Sequence, residues 1–304
     1  MKRRAIIVGS KGQDGRLLSD LLRNKGYELI LVSRGDPDIL SGLDVSNLVS
    51  GTNPDEIYFL AAHHHSSEDE LEPDDSLFKK SSDIHVISAV NFLEAIASKA
   101  PSARFFYASS SHIFPRSTGH LLNEETTPAP ENVYAITKLA GMMACRFYRD
   151  KRKVFASCGI LFNHESTLRP STYLSRKVAI AAATIFKHKK GTLVLGDLDA
   201  LVDWGYASDY VEAMYRVLQL DNPSDYVIAS GEAHTVRQFV EIAFSHLGLD
   251  YTAHVKLKSK LLSKPVGARI GDASRLKADT GWSPTVKFEE MVRIMVEAEL
   301  LSLS

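Results

Sequence analysis

A tyrosine and a lysine four residues apart, Tyr134 and Lys138, have the types and spacing that most directly suggest chemistry in this sequence. On a helix such a pair shares one face, about one turn apart. A phenol with a pKa near ~10 acts as a base at neutral pH only when its phenolate is stabilised, and a neighbouring ammonium supplies the opposite charge. The pair therefore predicts a proton-transfer site, provided that the preceding chain forms a cofactor site for it to serve.

A glycine-rich turn near the N-terminus predicts that cofactor site. The apolar run at residues 5–8 is typical of a buried strand, and a helical pattern begins at Arg16. Gly9, Gly12 and Gly15 stand between them. In a strand-turn-helix unit, glycines let the backbone approach a pyrophosphate, which the helix N-terminus then stabilises.

The end of the second predicted strand, at residues 29–32, indicates which nicotinamide cofactor the site takes. Arg34 follows this strand, and an arginine there accommodates the 2′-phosphate of NADP. An acidic residue would favour NAD, and Asp36 lies close behind. We therefore expect NADP, with NAD possible.

Strand and helix patterns alternate over the first half of the chain. Buried strands are predicted at residues 56–60, 104–108 and 154–161, and helices at residues 84–99 and 134–148. This alternation predicts an α/β fold, a Rossmann-like doubly wound parallel sheet that binds ligands at the carboxyl ends of its strands. Residues 61–65 and 109–112 and Asn163, which are rich in histidine, hydroxyl and amide groups, follow such strands.

The pattern changes after residue 166. A helix is predicted within residues 167–190, a short strand at 193–195, helices with capping-box-like starts at Asp209 and Thr235, and a final helix at about 288–300. We predict a dinucleotide-binding Rossmann domain of residues 1–165 plus about 205–230. A smaller C-terminal α/β substrate-binding lobe would comprise residues about 166–204 and 231–304.

Composition argues against several classes of protein. The formal net charge of -1 gives no basic field for nucleic acid, and no apolar run reaches the ~18 residues of a membrane span. The apolar run near the N-terminus is too short for a signal peptide, and Cys145 and Cys158 cannot make a disulfide framework. Three consecutive histidines, residues 63–65, point to alternating faces of an extended chain, so no metal site is expected. We expect a cytoplasmic protein that binds neither nucleic acid nor membranes.

Longer motifs span nearly the whole chain. They are Gly-x-x-Gly-Gln-Asp-Gly at residues 9–15, Gly-Ile-Leu-Phe-Asn-His-Glu-Ser at 159–166, Asp-Trp-Gly at 203–205, Ser-Asp-Tyr-Val-Glu-Ala-Met at 208–214, and Gly-Asp at 271–272 with Gly-Trp at 281–282. In these motifs the chain resembles the extended short-chain dehydrogenase/reductases (NAD-dependent epimerases and dehydratases), and among them the GDP-mannose 4,6-dehydratases. The resemblance implies a bound nicotinamide cofactor and a nucleotide-sugar substrate, with a GDP-sugar favoured. It also implies a homodimer or homotetramer associated through the helices near 84–99 and 134–148.

The resemblance assigns roles to four candidate catalytic residues. Tyr134 would take a proton from a sugar hydroxyl, usually the one at C4, and Lys138 would hold the nicotinamide ribose and lower the pKa of Tyr134. Ser110 would hydrogen-bond the same sugar oxygen in place of the family's threonine. His112 stands where the family has a glutamate that helps remove the proton and then the water between C5 and C6.

Other candidate residues would bind the cofactor or the substrate. Cofactor contacts are expected from Gly9, Gly12, Gln13, Asp14, Gly15, Arg34, Asp44, Val45, Leu60, Ala61, Ala62, Tyr134 and Lys138. Among these, Asp44 and Val45 resemble the adenine-binding pair that follows the third strand in the family. Substrate contacts are expected from Ser111, Asn163, Lys177 and Lys264.

Departures from the family pattern leave several activities open. His112 can act as a base, but it is uncharged when ready to do so. Val202 stands where an arginine is expected, and an Arg-Pro-x-Glu element has shrunk to Lys264 and Pro265. We expect hydride transfer at C4 of a GDP-mannose-like nucleotide sugar. The alternatives are a full GDP-mannose 4,6-dehydratase with His112 replacing the glutamate, a 4-keto-sugar reductase or epimerase, and a non-catalytic nucleotide-binding sensor.

Overall fold

The computed structural model describes residues 2–35, 37–63, 72–117, 119–258 and 267–303. The strands are β1 (Arg4–Val8), β2 (Glu28–Val32), β3 (Glu56–Phe59), β4 (Arg104–Ser110), β5 (Phe155–Leu161), β6 (Asn163–Glu165), β7 (Leu193–Leu195), β8 (Leu201–Tyr206), β9 (Asp225–Ile228), β10 (Ala233–Thr235) and β11 (Val255–Leu257). The helices are α1 (Gln13–Asn24), α2 (Gly42–Thr52), α3 (Asp74–Ser82), α4 (Ser88–Lys99), α5 (Val133–Arg152), α6 (Leu174–His188), α7 (Ala207–Val217), α8 (Val236–Ser245), α9 (Ser274–Thr280) and α10 (Phe288–Ser302).

A parallel sheet of six strands organises the larger part of the chain. Its order is β2-β1-β3-β4-β5-β9, and every neighbouring pair is parallel. The central strands are apolar on both sides because each face of the sheet is covered. In β3, Ile57 and Phe59 lie in one core and Tyr58 lies in the other. The predicted doubly wound parallel sheet is therefore confirmed.

Helices cover the two faces of this sheet. On one face, α2, α4 and α5 contribute Val45, Phe92 and Met142 to the core that contains Phe59. On the other face, α1 and α7 pack against each other and bury Leu18 and Met214. Burial of these apolar side chains on both sides of the sheet supplies its main stabilisation.

The C-terminal half adds a smaller lobe. It contains a three-stranded sheet, β10-β8-β6, and a two-stranded sheet, β11-β7. Helices α6, α8 and α10 enclose a third apolar cluster in which the rings of Trp204 and Phe288 stack at 5.7 Å. The predicted capping box is present at the start of α8. The Thr235 hydroxyl accepts from the Gln238 N–H at 3.1 Å, and the Gln238 side chain accepts from the Thr235 N–H at 2.8 Å.

The helix predicted at residues 84–99 begins differently from a regular α-helix. His85 is fully buried, whereas the apolar Ile87 is 48% exposed. The cause is a π-helical turn at Asp83–Ile87, which inserts an extra residue into the turn and rotates the side chains that follow it. A pattern of strict 3.6-residue period does not anticipate this rotation.

One predicted helix start is wrong. The capping-box-like start at Asp209 does not form, because α7 begins at Ala207 and its N-cap residue, Tyr206, makes no side-chain cap. Asp209 instead uses its carboxylate to accept bonds from the Thr285 N–H and hydroxyl, at 2.9 and 2.6 Å.

A second buried carboxylate, Asp203 of β8, fastens three chain segments together. It accepts bonds from the N–H and hydroxyl of Ser230, at 3.0 and 2.6 Å, and from the N–H groups of Gly231 and Gly271, at 3.2 and 3.0 Å. Both aspartates belong to motifs that carry the family resemblance. Their contacts show that these motifs hold the smaller lobe against the large sheet.

The glycine-rich turn bonds directly to the strand segment that enters the smaller lobe. His164 Nε2 lies 3.0 Å from Asp14 Oδ2, and His164 Nδ1 donates to the Phe162 carbonyl at 2.7 Å. Gln13 donates to the His164 carbonyl at 3.1 Å and accepts from the Ser166 hydroxyl at 2.8 Å. Burial opposes charge on both partners, yet their mutual attraction outweighs it, lowering the pKa of Asp14 and raising the pKa of His164.

None of the helices in the described ranges combines the length and apolar character that crossing a membrane requires. Cys145 and Cys158 are free thiols, and both are buried. They lie in the core between α5 and the large sheet, where burial raises the pKa of the Cys158 thiol well above its usual value.

Replacing Asp203 should destabilise the fold. Asp203→Ala would leave three backbone N–H groups buried without their acceptor, so we expect a loss of about 3 kcal/mol in the free energy of unfolding, measured by urea denaturation. Asp221→Ala provides the control, since Asp221 is exposed. Equal midpoints for the two variants would contradict the fastening role of Asp203.

The Asp14–His164 pair should make stability depend on pH in a defined window. The lowered pKa of Asp14 gives a contribution that is lost as pH falls through that pKa. The raised pKa of His164 gives one that is present below the ordinary histidine value and lost as pH rises through the folded-state value. The difference in unfolding free energy between wild type and Asp14→Asn should therefore be about 1–3 kcal/mol near pH 5.5 and smaller at pH 8.5. A difference that does not change with pH would rule out the ion pair.

Candidate active site

Tyr134 and Ser110 meet at the carboxyl edge of the large sheet. Ser110 ends β4, and Tyr134 lies in the first turn of α5, whose N-terminus is capped by the Asn132 side chain. The Ser110 hydroxyl hydrogen-bonds the Tyr134 phenol. Burial raises the pKa of Tyr134 to about 12, helped by the neighbouring Tyr173, while the bond from Ser110 and the charge of Arg169 offset part of the rise.

Lys138 is buried one turn further along α5. Its ammonium donates to the Ala108 carbonyl at 2.8 Å and lies 5.3 Å from the Tyr107 ring and 5.8 Å from the Tyr134 ring. Burial lowers the pKa of Lys138 to about 7, although the Asp14 charge acts in the opposite direction. The role of Lys138 in lowering the pKa of Tyr134 stays a prediction, since burial in the chain alone disfavours the charged forms of both groups.

His112 and Ser111 follow directly after β4 in a short 3₁₀ turn. The rings of His112 and Tyr134 are nearly perpendicular, with centroids 6.2 Å apart. The His112 N–H donates to the Ser110 hydroxyl at 3.2 Å, so the turn holds both side chains beside the phenol. Ser111 is buried, with 3% of its surface exposed.

The glycine-rich turn lies at the same edge. Gly9 has a φ of +91°, and a Cβ there would lie 2.8 Å from the Ala61 nitrogen, while a Cβ on Gly15 would lie 2.4 Å from the Gly9 carbonyl oxygen. These distances leave no room for a side chain at Gly9 or Gly15. The turn therefore packs closely against Leu60 and Ala61 after β3. Gly12 caps the N-terminus of α1 and is exposed, and a Cβ there would lie 3.4 Å from the Gly9 carbonyl oxygen. The backbone at Gly12 is therefore accessible to an anionic ligand.

The other expected cofactor contacts are distributed unevenly. Arg34 is exposed beyond the end of β2, near the turn, and Ala62 is exposed after β3. Asp44 and Val45 were expected to follow the third strand. They lie instead at the start of α2, ahead of β3. Val45 is fully buried in the core, so its side chain is not accessible to a ligand. The expectation came from the family resemblance, which places the pair after the third strand, whereas here α2 comes between β2 and β3.

The expected substrate contacts lie in the smaller lobe or at its entrance. Asn163 begins β6, and Lys177 on α6 lines a cavity of about 360 Å³ together with Thr184 and Leu193. Lys264 lies outside the described residues. The cavity gives the chain an accessible space between α6 and β7, next to a cationic side chain.

Sequence reasoning missed Arg169, a cation close to the phenol. Its Nε donates to Glu165 Oε2 at 3.0 Å, and its guanidinium lies 4.0 Å from the Tyr173 ring centroid. Ser175 donates to the same Glu165 oxygen at 2.6 Å and so fixes the carboxylate. The four-residue spacing of Glu165 and Arg169 typifies a helical ion pair and could have identified the contact, although the segment is not helical.

Histidines other than His112 also surround Tyr134. The His85 ring lies edge-on to it at a centroid distance of 5.3 Å, and the His63 N–H donates to His85 at 2.9 Å. His64 and His65 lie outside the described residues. Across the ranges that the structure covers, no three His, Cys, Asp or Glu side chains are grouped so that they could hold a metal ion.

Comparisons with known proteins agree with this arrangement. Residues 35–295 match the family described as GDP-mannose 4,6 dehydratase. GDP-mannose 4,6 dehydratase 2 of Arabidopsis thaliana is 34% identical, with 97% of this chain and 86% of the relative covered. GDP-mannose 4,6 dehydratase of Drosophila melanogaster is 33% identical, with the same coverage of 97% and 86%.

Solved structures share the fold at lower sequence identity. RMD from Pseudomonas aeruginosa, complexed with NADPH, superposes with a TM-score of 0.86 at 20% identity, covering 99% of this chain and 100% of that chain. UDP-glucose 4-epimerase from Thermotoga maritima, with UDP-glucose, gives a TM-score of 0.83 at 20% identity, covering 99% and 100%. The fold, the family match and the relatives lead to one conclusion: the chain belongs to the GDP-mannose 4,6-dehydratase family, among the extended short-chain dehydrogenase/reductases.

Proposed function

We propose that this protein is an NAD(P)-dependent enzyme that transfers hydride at C4 of a GDP-mannose-like nucleotide sugar. The observation that carries the proposal is the meeting of Ser110, Tyr134 and Lys138 at the sheet edge that also bears the glycine-rich turn. A proton-transfer group and an anion-binding turn at one edge are what a hydroxyl oxidation needs. Family membership supports the same reading.

Tyr134 would remove the hydroxyl proton of the sugar while the carbon loses hydride. Ser110, already bonded to the phenol, would share the sugar oxygen and fix its distance from Tyr134. In the chain alone the pKa of Tyr134 is about 12, so deprotonation requires added positive charge. Arg169 supplies part of it, and Lys138 supplies more when its ammonium is protonated.

The residues present fit a dinucleotide. The exposed backbone at Gly12 would accept a phosphate at the N-terminus of α1. The Ser109 hydroxyl on β4 is buried next to Ala108, whose carbonyl accepts from Lys138, and it has no hydrogen-bond partner among the described residues, so it is available to a bound group. A bound nicotinamide would accept or supply the hydride. Exposed Arg34 favours NADP, since its guanidinium suits a 2′-phosphate, and NAD remains an alternative.

His112 decides between hydride transfer alone and a full dehydration. Removing water between C5 and C6 needs a second acid–base group. The His112 imidazole beside Tyr134 differs from a carboxylate because it is uncharged when it is ready to accept a proton. We therefore favour a reaction that ends after hydride transfer, as in a dehydrogenase, reductase or epimerase. A dehydratase that uses His112, and a sensor without turnover, are the alternatives.

Product mass distinguishes these activities. The protein is incubated with GDP-mannose and NADP or NAD, and the nucleotide sugar is analysed by mass spectrometry. A change of two hydrogens supports a dehydrogenase or reductase, an unchanged mass with altered stereochemistry supports an epimerase, and loss of water supports the dehydratase. No change with GDP-, CDP-, UDP- or dTDP-sugars, despite measurable cofactor binding, would overturn the enzymatic proposal.

Removing the Tyr134 hydroxyl should abolish hydride transfer. Tyr134→Phe is expected to lower kcat by at least ~10³-fold, because the proton has no other acceptor in that position, while NADPH affinity measured by fluorescence changes little. Tyr148→Phe is the matched control, since Tyr148 lies at the far end of the same helix and bonds Glu94. Normal turnover by Tyr134→Phe would show that the base is another group.

We also propose that two copies associate through α4 and α5. Ile136, Met143 and Phe147 form an apolar stripe along α5 and are 39%, 51% and 54% exposed, and Ile87 beside α4 is 48% exposed. The positions are spaced at i, i+7 and i+11, so they share one helix face. A contiguous apolar face on paired helices is suited to a second copy of itself.

A charge placed on this stripe should weaken the association. Phe147→Glu would bury an unpaired carboxylate in the interface, so we expect the dimer Kd, measured by analytical ultracentrifugation, to rise by at least ~30-fold. Leu301→Glu on α10 is the control, since Leu301 is 74% exposed and lies away from the stripe. An unchanged Kd for Phe147→Glu would exclude this interface.

A further inference from the structure

We propose that His85 is a positioning residue for Tyr134, held as a neutral imidazole between the loop after β3 and helix α5. The proposal rests on the proposed function, since it concerns how the base of that reaction is kept in place. His85 is fully buried, and it lies in the π-helical turn that precedes α4. Such turns occur often at functional sites.

The hydrogen bonds of His85 select one tautomer. Its Nε2 lies 2.9 Å from the backbone nitrogen of His63, and a backbone N–H can only donate, so Nε2 must accept. Its Nδ1 lies 2.8 Å from the Thr137 hydroxyl oxygen. That hydroxyl donates its single proton to a helix carbonyl, Val133 at 2.9 Å or Tyr134 at 3.1 Å. Nδ1 must therefore carry the proton, and a proton on Nε2 would meet the His63 N–H.

These bonds connect the two halves of the candidate site. His63 follows Leu60 and Ala61, against which the glycine-rich turn packs. Thr137 lies on α5, next to Lys138 and one turn from Tyr134. The imidazole thus fixes the distance between the cofactor-binding edge and the helix that carries the phenol.

Packing makes this link rigid. The Tyr107 hydroxyl donates to the His85 carbonyl at 2.9 Å, which ties the π-helical turn to β4. A Cβ on Gly141 would lie 2.4 Å from that carbonyl oxygen and 2.2 Å from the Tyr107 hydroxyl, so α5 approaches the turn as closely as a backbone can. The His85 ring also meets the Tyr134 ring edge-on, with an interplanar angle of 90°. Rotation of the phenol away from Ser110 would have to displace this ring.

The tautomer can be observed without any turnover. In protein labelled with ¹⁵N-histidine, the His85 signal is identified by its absence from a His85→Gln variant. We expect a neutral ring protonated on Nδ1 at pH 7. A ring protonated on Nε2, or on both nitrogens, would overturn the hydrogen-bond assignment.

Variants test the positioning role. His85→Leu removes both bonds, so we expect kcat to fall by ~10²-fold with KM changed less than ~3-fold, because the phenol is misplaced by a fraction of an ångström. His85→Gln can accept from His63 and donate to Thr137 through one amide, so it should keep kcat within ~5-fold of wild type. Ile96→Ala is the control, since Ile96 is equally buried on α4 and outside this network. It should lower the melting temperature and leave kcat unchanged.

The outcomes separate this proposal from the proposed function. Wild-type kcat in His85→Leu, or an equal loss of kcat in the leucine and glutamine variants, would overturn the positioning role. If the wild-type protein itself turns over no nucleotide sugar, the proposed function fails, and amide hydrogen exchange then decides the present proposal. In that case His85→Leu should raise exchange ~10-fold at residues 61–63 and 134–138, and Ile96→Ala should not. Unchanged exchange at both segments would overturn the network.

Discussion

The site depends on the close approach of α5 to β4 and to the π-helical turn. Gly141 is the point of contact, where a Cβ would collide with the Tyr107 hydroxyl at 2.2 Å. Because the helix lies this close, Lys138 reaches the Ala108 carbonyl and is 2% exposed. The same approach brings Tyr134 beside the end of β4, where Ser110 meets it. The absence of a side chain at Gly141 therefore allows Lys138 and Tyr134 to approach β4 and Ser110.

Burial has an electrostatic consequence that shapes the rest of the site. In the chain alone, both Tyr134 and Lys138 have pKa values shifted toward their neutral forms, to about 12 and about 7. Charge at this edge is instead held by fixed pairs, Asp14 with His164 and Arg169 with Glu165. In each pair, direct contact between opposite charges offsets the desolvation cost of burying them. An isolated charged group has no such compensation.

Local patterns predicted the local parts of this structure. Short apolar runs identified β1, β3, β4 and β5, and the capping box at Thr235 identified the start of α8, because both signals are properties of neighbouring residues. The burial of His85 and the place of Asp44 and Val45 were not predictable in this way. A π-helical turn leaves no periodic signature, and the place of Asp44 and Val45 in the strand order was taken from the family resemblance alone. Arg169 was missed for a third reason, since its proximity to Tyr134 depends on contacts between residues far apart in sequence.

Some residues of the family pattern stabilise the fold, and others are the candidate catalytic residues. Asp203 and Asp209 each accept several hydrogen bonds from distant backbone, so they fasten the smaller lobe. Ser110 and Tyr134 lie instead at the carboxyl edge of the large sheet. The departures from the family pattern, His112 and Val202, fall beside the reacting groups or next to Asp203 in β8, while the fastening aspartates are kept. The proposed change of chemistry or substrate would therefore fall on residues at the sheet edge and leave the bonds that Asp203 and Asp209 accept in place.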